Sequence, residues 1–213
     1  MQNLRDYPHV LACPLALCFA FEPVDRQFAA ATLIELGFTL DTALLTPSES
    51  LLAMIRLQWW IDTMQSTATE TAPLVQNLRI ICEQQPDMRD RLIGVIGCWQ
   101  DSCHHEQRDS QPGWLKLWRL LGETFSVAPN QAAAAGRFAM SSDDAPESGF
   151  TDRLNLLSLR RMAKGAPSWW LYLLGGGGAF RRRENRPDPP PYDSAMLGWH
   201  LLFWRLGRPP RLG

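Results

Sequence analysis

Apolar positions recur at helical spacing along most of the chain, and alternating runs closed by hairpin turn pairs are missing. The pattern therefore predicts helices nearly throughout and an all-α fold. The first helix is expected over residues 24–45, a stretch rich in Ala and Leu. Thr46-Pro47-Ser48-Glu49 then reads as a fresh start: Thr46 can cap, Pro47 suits the first helical position, and Glu49 sits where a capping box needs it. The helix that follows carries Trp59-Trp60 and is expected to end near Thr67. Residues 73–85 and 87–104 read as two further helices, split at Pro86-Asp87. Residues 113–125 make another, with Trp114, Leu117, Trp118 and Leu121 on one face, and 130–138 an alanine-rich one.

Beyond this the texture changes. Ser141 to Gly149 is a polar, acidic loop, and residues 151–174 resume helical periodicity before Gly175-Gly176-Gly177-Gly178. Arg181 to Asp193 has the composition of a linker, with Pro187-Asp188-Pro189-Pro190-Pro191 favouring extended backbone. A last short helix, 194–206, carries Trp199, His200, Phe203 and Trp204. The expected organisation is one helical domain over 1–180, an Arg/Pro-rich linker over 181–193, and a C-terminal helix and tail over 194–213. No internal repeat is visible.

Composition narrows the function classes. A chain of 213 residues with 46% hydrophobic and 20% charged positions has the make-up of one globular domain. Its net charge of −1 gives no broad attraction to nucleic acid or to an anionic membrane. Five cysteines (Cys13, Cys18, Cys82, Cys98 and Cys103) are an odd number, which favours reduced thiols in a cytosolic protein. Cys98-x4-Cys103-His104-His105 has no second Cys/His cluster to complete a tetrahedral zinc site. A buried Cys98 and surface His104 and His105 are expected instead. Pro8, His9 and Pro14 interrupt the apolar N-terminus, so no secretory signal is convincing, and no uninterrupted apolar run looks long enough to span a bilayer. The expected location is cytoplasmic, or peripheral to the inner membrane.

Candidate chemistry concentrates in Ser48-Glu49-Ser50-Leu51-Leu52-Ala53-Met54-Ile55-Arg56-Leu57-Gln58-Trp59-Trp60-Ile61-Asp62. At helical spacing Leu52, Ile55, Trp59 and Asp62 share one side, and Arg56, Trp60 and Thr63 a neighbouring one. Tryptophans at such spacing more often fill a core than wall a ligand. Arg56 can pair with Glu49, Asp62 or another helix, or face an anionic ligand. Gln58 and Asp62 can bond at i, i+4 or serve a tertiary contact. This run resembles the squalene/phytoene synthase family, whose non-carotenoid bacterial and mitochondrial members carry S-E-x-L-L-x-x-I-R-L-Q-W-W-x-[DE]. Upstream, Phe21-Glu22-Pro23-Val24-Asp25-Arg26 is similar to the family's F-x-P-x-x-R segment. The resemblance covers about residues 21–64. Trp199-His200-Leu201-Leu202-Phe203-Trp204-Arg205 is similar to the C-terminus of the assembly-factor-like branch.

The resemblance implies a shortened isoprenoid synthase fold and, for its enzymes, head-to-head condensation of two prenyl diphosphates. That chemistry uses Mg²⁺ held by carboxylates at i, i+4 on facing helices. Here the places of the family's Tyr, Phe and Arg hold Ile34, Leu36 and Phe38. Its first D-x-x-x-D motif survives as Asp41 alone, the second place being Leu45. No second motif follows: Asp143 and Glu147 flank Pro146 in a loop-like stretch, and Asp188 stands among prolines. Asp41, the remaining candidate metal ligand, reads more readily as solvated or locally hydrogen-bonded. The expectation is a divergent, non-catalytic member, resembling the branch associated with assembly of the respiratory NADH dehydrogenase, that binds a prenyl lipid or a protein partner. Its pocket candidates are Ile34, Phe38, Glu49, Arg56, Gln58, Trp59, Trp60 and Asp62. The alternative is a Mg²⁺-dependent prenyltransferase with atypical ligands, in which Asp41 holds metal and Arg56 meets diphosphate. No cofactor is expected of the first reading. No nucleic-acid partner is expected, and membrane contact is assigned to the C-terminal region through Arg181-Arg182-Arg183, Trp169, Trp170, Trp199 and Trp204. Gly175 to Gly178 lacks the Gly-Lys-Ser/Thr of a phosphate loop and reads as a connector.

Overall fold

The computed structural model describes Tyr7 and residues 24–67, 72–105, 108–130 and 132–133. These residues form five α-helices and no strand: α1 Val24–Leu45, α2 Ser50–Gln65, α3 Pro73–Gln84, α4 Met88–Asp101 and α5 Gln111–Thr124. A 3-10 turn, Ser102–His104, extends α4. The readings of residues 134–213 lie outside the described residues, as do Cys13, Cys18 and Phe21 to Pro23; of the alanine-rich helix only Asn130, Ala132 and Ala133 are described, as helical.

α1 is the axis of the bundle. Its residues 30–37 are buried without interruption, which requires neighbours on every side. It touches all four other helices. By length and composition Arg26–Leu45 is apolar enough to cross a membrane, which corrects the expectation that no such run exists. Here 61% of that window is buried against the protein's own helices. The remaining helices turn one face to α1: Ala53, Leu57, Trp60 and Met64 from α2, Val75, Leu78 and Ile81 from α3, Leu92, Val95, Ile96 and Trp99 from α4, and Trp114, Leu117, Trp118 and Leu121 from α5 are all buried. The face expected for residues 113–125 is thus the one that packs.

The start of α2 differs from the expectation. The helix begins at Ser50, with Glu49 in extended conformation at the cap position and no side-chain capping bond. Thr46 and Pro47 belong to the turn instead. Arg108, sixty-odd residues away, holds the turn between α1 and α2 instead: its guanidinium donates to Leu44 O at 2.9 Å, to Ser48 O at 2.8 Å and to Pro47 O. Leu44 O is left without a helical partner at the end of α1, Pro47 O and Ser48 O lie in the turn, and a planar cation satisfies all three at once. Arg79 of α3 treats the far end of α2 likewise, donating to Ser66 O at 3.2 Å.

α3 opens on Pro73, whose missing N–H is no loss at a first turn, and closes ahead of Pro86. Tyr7 is buried and its hydroxyl lies 3.1 Å from Thr32 Oγ1, while Asn77 Nδ2 donates to it at 3.2 Å. Three buried polar groups from three places in the chain thereby satisfy one another. The cysteine expectation needs correction. Cys98 is only partly buried, whereas Cys82 and Cys103 are buried, and burial pushes both of those thiols up. His104 and His105 are exposed, as read.

Candidate functional site

Two features of the α1 surface carry the residues singled out by sequence. The first is Asp41, in the penultimate turn of α1. Both its carboxylate oxygens are engaged: Trp99 Nε1 donates to Oδ1 and Trp114 Nε1 to Oδ2, each at 2.7 Å. A short charge-assisted bond to each oxygen is stronger than a neutral pair. Asp41 is half-buried, and its bonds are not local, contrary to the local bonding expected of it. Its partners come from α4 and α5.

Burial is the main influence on this carboxyl and raises its pKa above the ordinary 3.8. The bonds from Trp99, Trp114 and Ser110 pull the other way, and the negative charge of Asp109 adds to the rise. Around it the rings form an aromatic group. Trp99 meets Trp114 edge-on at 5.7 Å, Trp114 stacks on Trp118 at 6.1 Å, and Phe38 meets Trp114 edge-on at 5.1 Å. Such arrangements follow the ring quadrupole.

Two glycines make this convergence possible. A Cβ at Gly113 would lie 2.3 Å from the Trp99 ring, and one at Gly37 would lie 2.5 Å from the Trp114 ring. Each donor of the Asp41 pair therefore lies over a residue with no side chain. Sequence reading missed Trp99, Gly37 and Gly113 here, and placed Trp114 only on a packing face. The signal was present in the chemistry. An isolated carboxylate on an apolar helix needs donors, and buried indoles need acceptors.

A magnesium ion does not fit this donor set. Both Asp41 oxygens already accept indole N–H groups, and the i+4 place holds an exposed Leu45. Among the described residues no three His, Cys, Asp or Glu side chains gather to hold a metal.

The second feature is a groove between α1 and α2 of about 460 Å³, lined by Thr39, Thr42, Ala43, Ile55, Arg56, Trp59 and Trp60. That volume lies within the range of small-molecule sites. Thr39 and Thr42 return their hydroxyls to Glu35 O and Phe38 O of their own helix, at 2.8 and 2.9 Å. Neither needs a partner from the groove, so its walls are effectively apolar. Trp59 and Trp60 meet edge-on at 5.1 Å, and they divide the two roles proposed for them. Trp60 is buried in the core, while Trp59 stands largely in the open.

Among the described residues that line the groove, Arg56 supplies the one charge. Among the described residues it makes no hydrogen bond or ion pair, so neither Glu49 nor Asp62 takes it. Asp62 is engaged elsewhere. Gln58 Nε2 donates to Asp62 Oδ1 at 2.8 Å, and Gln100 Nε2 of α4 donates to Gln58 Oε1 at 2.8 Å. The local and the tertiary alternatives for Gln58 thus both occur.

Of the eight pocket candidates, three line this groove: Arg56, Trp59 and Trp60. Ile34 is fully buried in the core, Phe38 packs on Trp114, Glu49 is exposed ahead of α2, and Gln58 and Asp62 form the polar chain to α4. Thr39, Thr42, Ala43 and Ile55 are groove residues that sequence reading did not select. Comparison of the chain with models of known families, with characterised proteins and with solved structures finds no match.

Proposed function

We propose that this chain is a divergent, non-catalytic member of the squalene/phytoene synthase family that holds a prenyl chain with an anionic head group in the α1–α2 groove. The observation that carries the reading is a guanidinium without a protein partner among the described residues, set at an apolar slot walled by two tryptophans. An apolar chain fills the slot and gains by leaving water; a phosphate or carboxylate head satisfies Arg56. The engagement of both Asp41 oxygens by indoles supports the non-catalytic part, because ionising an allylic diphosphate calls for free carboxylates around metal.

The test is a titration of the full chain with farnesyl monophosphate, followed by tryptophan fluorescence, beside an assay of diphosphate release from farnesyl diphosphate with Mg²⁺. Saturable binding without release is expected, and Arg56→Gln should weaken binding about tenfold, the size of one charge-assisted bond. Absence of saturable binding would remove the groove reading. Diphosphate release that disappears in Asp41→Ala would make the protein a synthase with unorthodox ligands.

A further inference from the structure

α2 is apolar on two opposite sides. Its inner side, Ala53, Leu57, Trp60 and Met64, is buried against the bundle. Its outer side carries Leu51, Leu52, Ile55 and Trp59, which are 62%, 46%, 57% and 44% exposed. Contiguous exposed apolar surface of this kind marks a contact.

The character of this face identifies what covers it. Arg56 lies along one border, and Asp62, bonded to Gln58, shares the side but sits beyond Trp59 at its C-terminal end. The indole N–H of Trp59 has no acceptor among the described residues. A large apolar ring with a polar edge left to water or a head group is the side chain that favours the bilayer interface. The four side chains expose on the order of 400 Å², about half of the ~800 Å² per partner that a stable dimer buries. A shallow layer of lipid sets no such minimum, and Leu51 to Trp59 spans only about 12 Å of helix. Ile55 and Trp59 belong both to this face and to the groove, so the groove opens at its edge.

We propose that the outer face of α2 rests in the interfacial layer of a lipid bilayer, and that the groove exchanges its amphiphile there. The exchange rests on the groove reading given above; the membrane contact stands on the exposed face. The contact is apolar, so it needs no anionic lipid and resists salt.

The experiment is flotation of the full chain with phosphatidylcholine vesicles, with and without anionic lipid, at low and high salt. Expected are binding to the uncharged vesicles that survives about 0.5 M salt, and at least a tenfold loss of partition in Leu51→Glu/Leu52→Glu. Neither leucine lines the groove, so farnesyl monophosphate binding in solution should stay within about twofold in that variant. Quenching of tryptophan emission by bromine-labelled acyl chains, diminished in Trp59→Phe, reads the same contact with the apolar face intact. Vesicle binding that depends on Leu51 and Leu52 while farnesyl monophosphate fails to bind would keep the membrane face and discard the groove ligand. The membrane face is overturned by any of three results: no binding to uncharged vesicles, binding unchanged in the double variant, or binding confined to anionic vesicles and lost in salt. Conversion of a dimer to a monomer by the double variant, without flotation of either, would assign the face to a second copy and overturn the proposal too.

Discussion

Asp41 and Trp99 stand 58 positions apart in the chain and meet at 2.7 Å, the indole N–H donating to one carboxylate oxygen while Trp114 takes the other. One acidic side chain thus ties α1 to both α4 and α5. Asp41→Asn leaves one carbonyl oxygen for two donors and turns an N–H₂ group against the second indole. A loss of about 1.5–3 kcal/mol is expected, measured by urea unfolding, with a change in tryptophan emission.

The same carboxyl imposes a pH dependence. Its folded pKa is raised above 3.8, chiefly by burial, so the folded state holds the proton more firmly than the unfolded state does. The resulting stabilisation is full below the unfolded value and is lost as pH rises through the folded one. The stability difference between the native chain and Asp41→Asn should therefore shrink as pH is raised from about 3 to about 7, in unfolding curves at each pH. A difference that grows over that range would contradict the burial of this group.

Gly113 and Gly37 lie beneath the two indoles, so a methyl group at either site must move a ring. Gly113→Ala and Gly37→Ala should each destabilise by about 1–3 kcal/mol despite the better helix propensity of Ala. Because each displaces an Asp41 donor, combining Gly113→Ala with Asp41→Asn should cost clearly less than the sum. Additive losses in that double-mutant cycle would separate the glycine from the carboxylate.

Arg108 joins the end of α1 to the turn before α2 through three carbonyls. Arg108→Ala should cost about 2–4 kcal/mol, since several acceptors lose a charged donor together. Arg108→Lys should recover only part, because a single ammonium cannot reproduce the planar fork. Urea unfolding of the three proteins reads the order directly.

Leu57 and Ile55 sit two positions apart on α2 and face opposite ways. Leu57→Ala, from a fully buried position, should destabilise by about 2–5 kcal/mol. Ile55→Ala, from an exposed one, should remain within about 0.5 kcal/mol. Thermal unfolding distinguishes them, and equal losses would place the outer face of α2 in the core.

Much of the architecture is legible in one dimension. The helix over residues 24–45, the break at Pro86-Asp87 and the packing face of Trp114, Leu117, Trp118 and Leu121 follow from spacing and from proline, which act within a few residues. The start of α2 escaped the same reasoning, because the turn that carries Thr46 to Glu49 is held through its carbonyls by Arg108 from a distant segment, and the local capping bonds do not form. In the candidate site, Arg56, Trp59 and Trp60 were legible as a cluster on one helix. Their opposite wall of Thr39, Thr42 and Ala43 was not, since nothing in either segment alone specifies how α1 and α2 cross.

The sequence by itself determined that the described residues are helical and, apart from the start of α2, roughly where their helices run, because helix periodicity, proline and apolar content are properties of neighbouring residues. Only the tertiary structure decided that Asp41 is a junction between two indoles, that Trp60 is buried while Trp59 stands outside, and that Arg56 is left facing a groove. Those outcomes depend on which helices meet and at what angle, and on two glycines whose missing side chains let the aromatic rings close on α1 and α5.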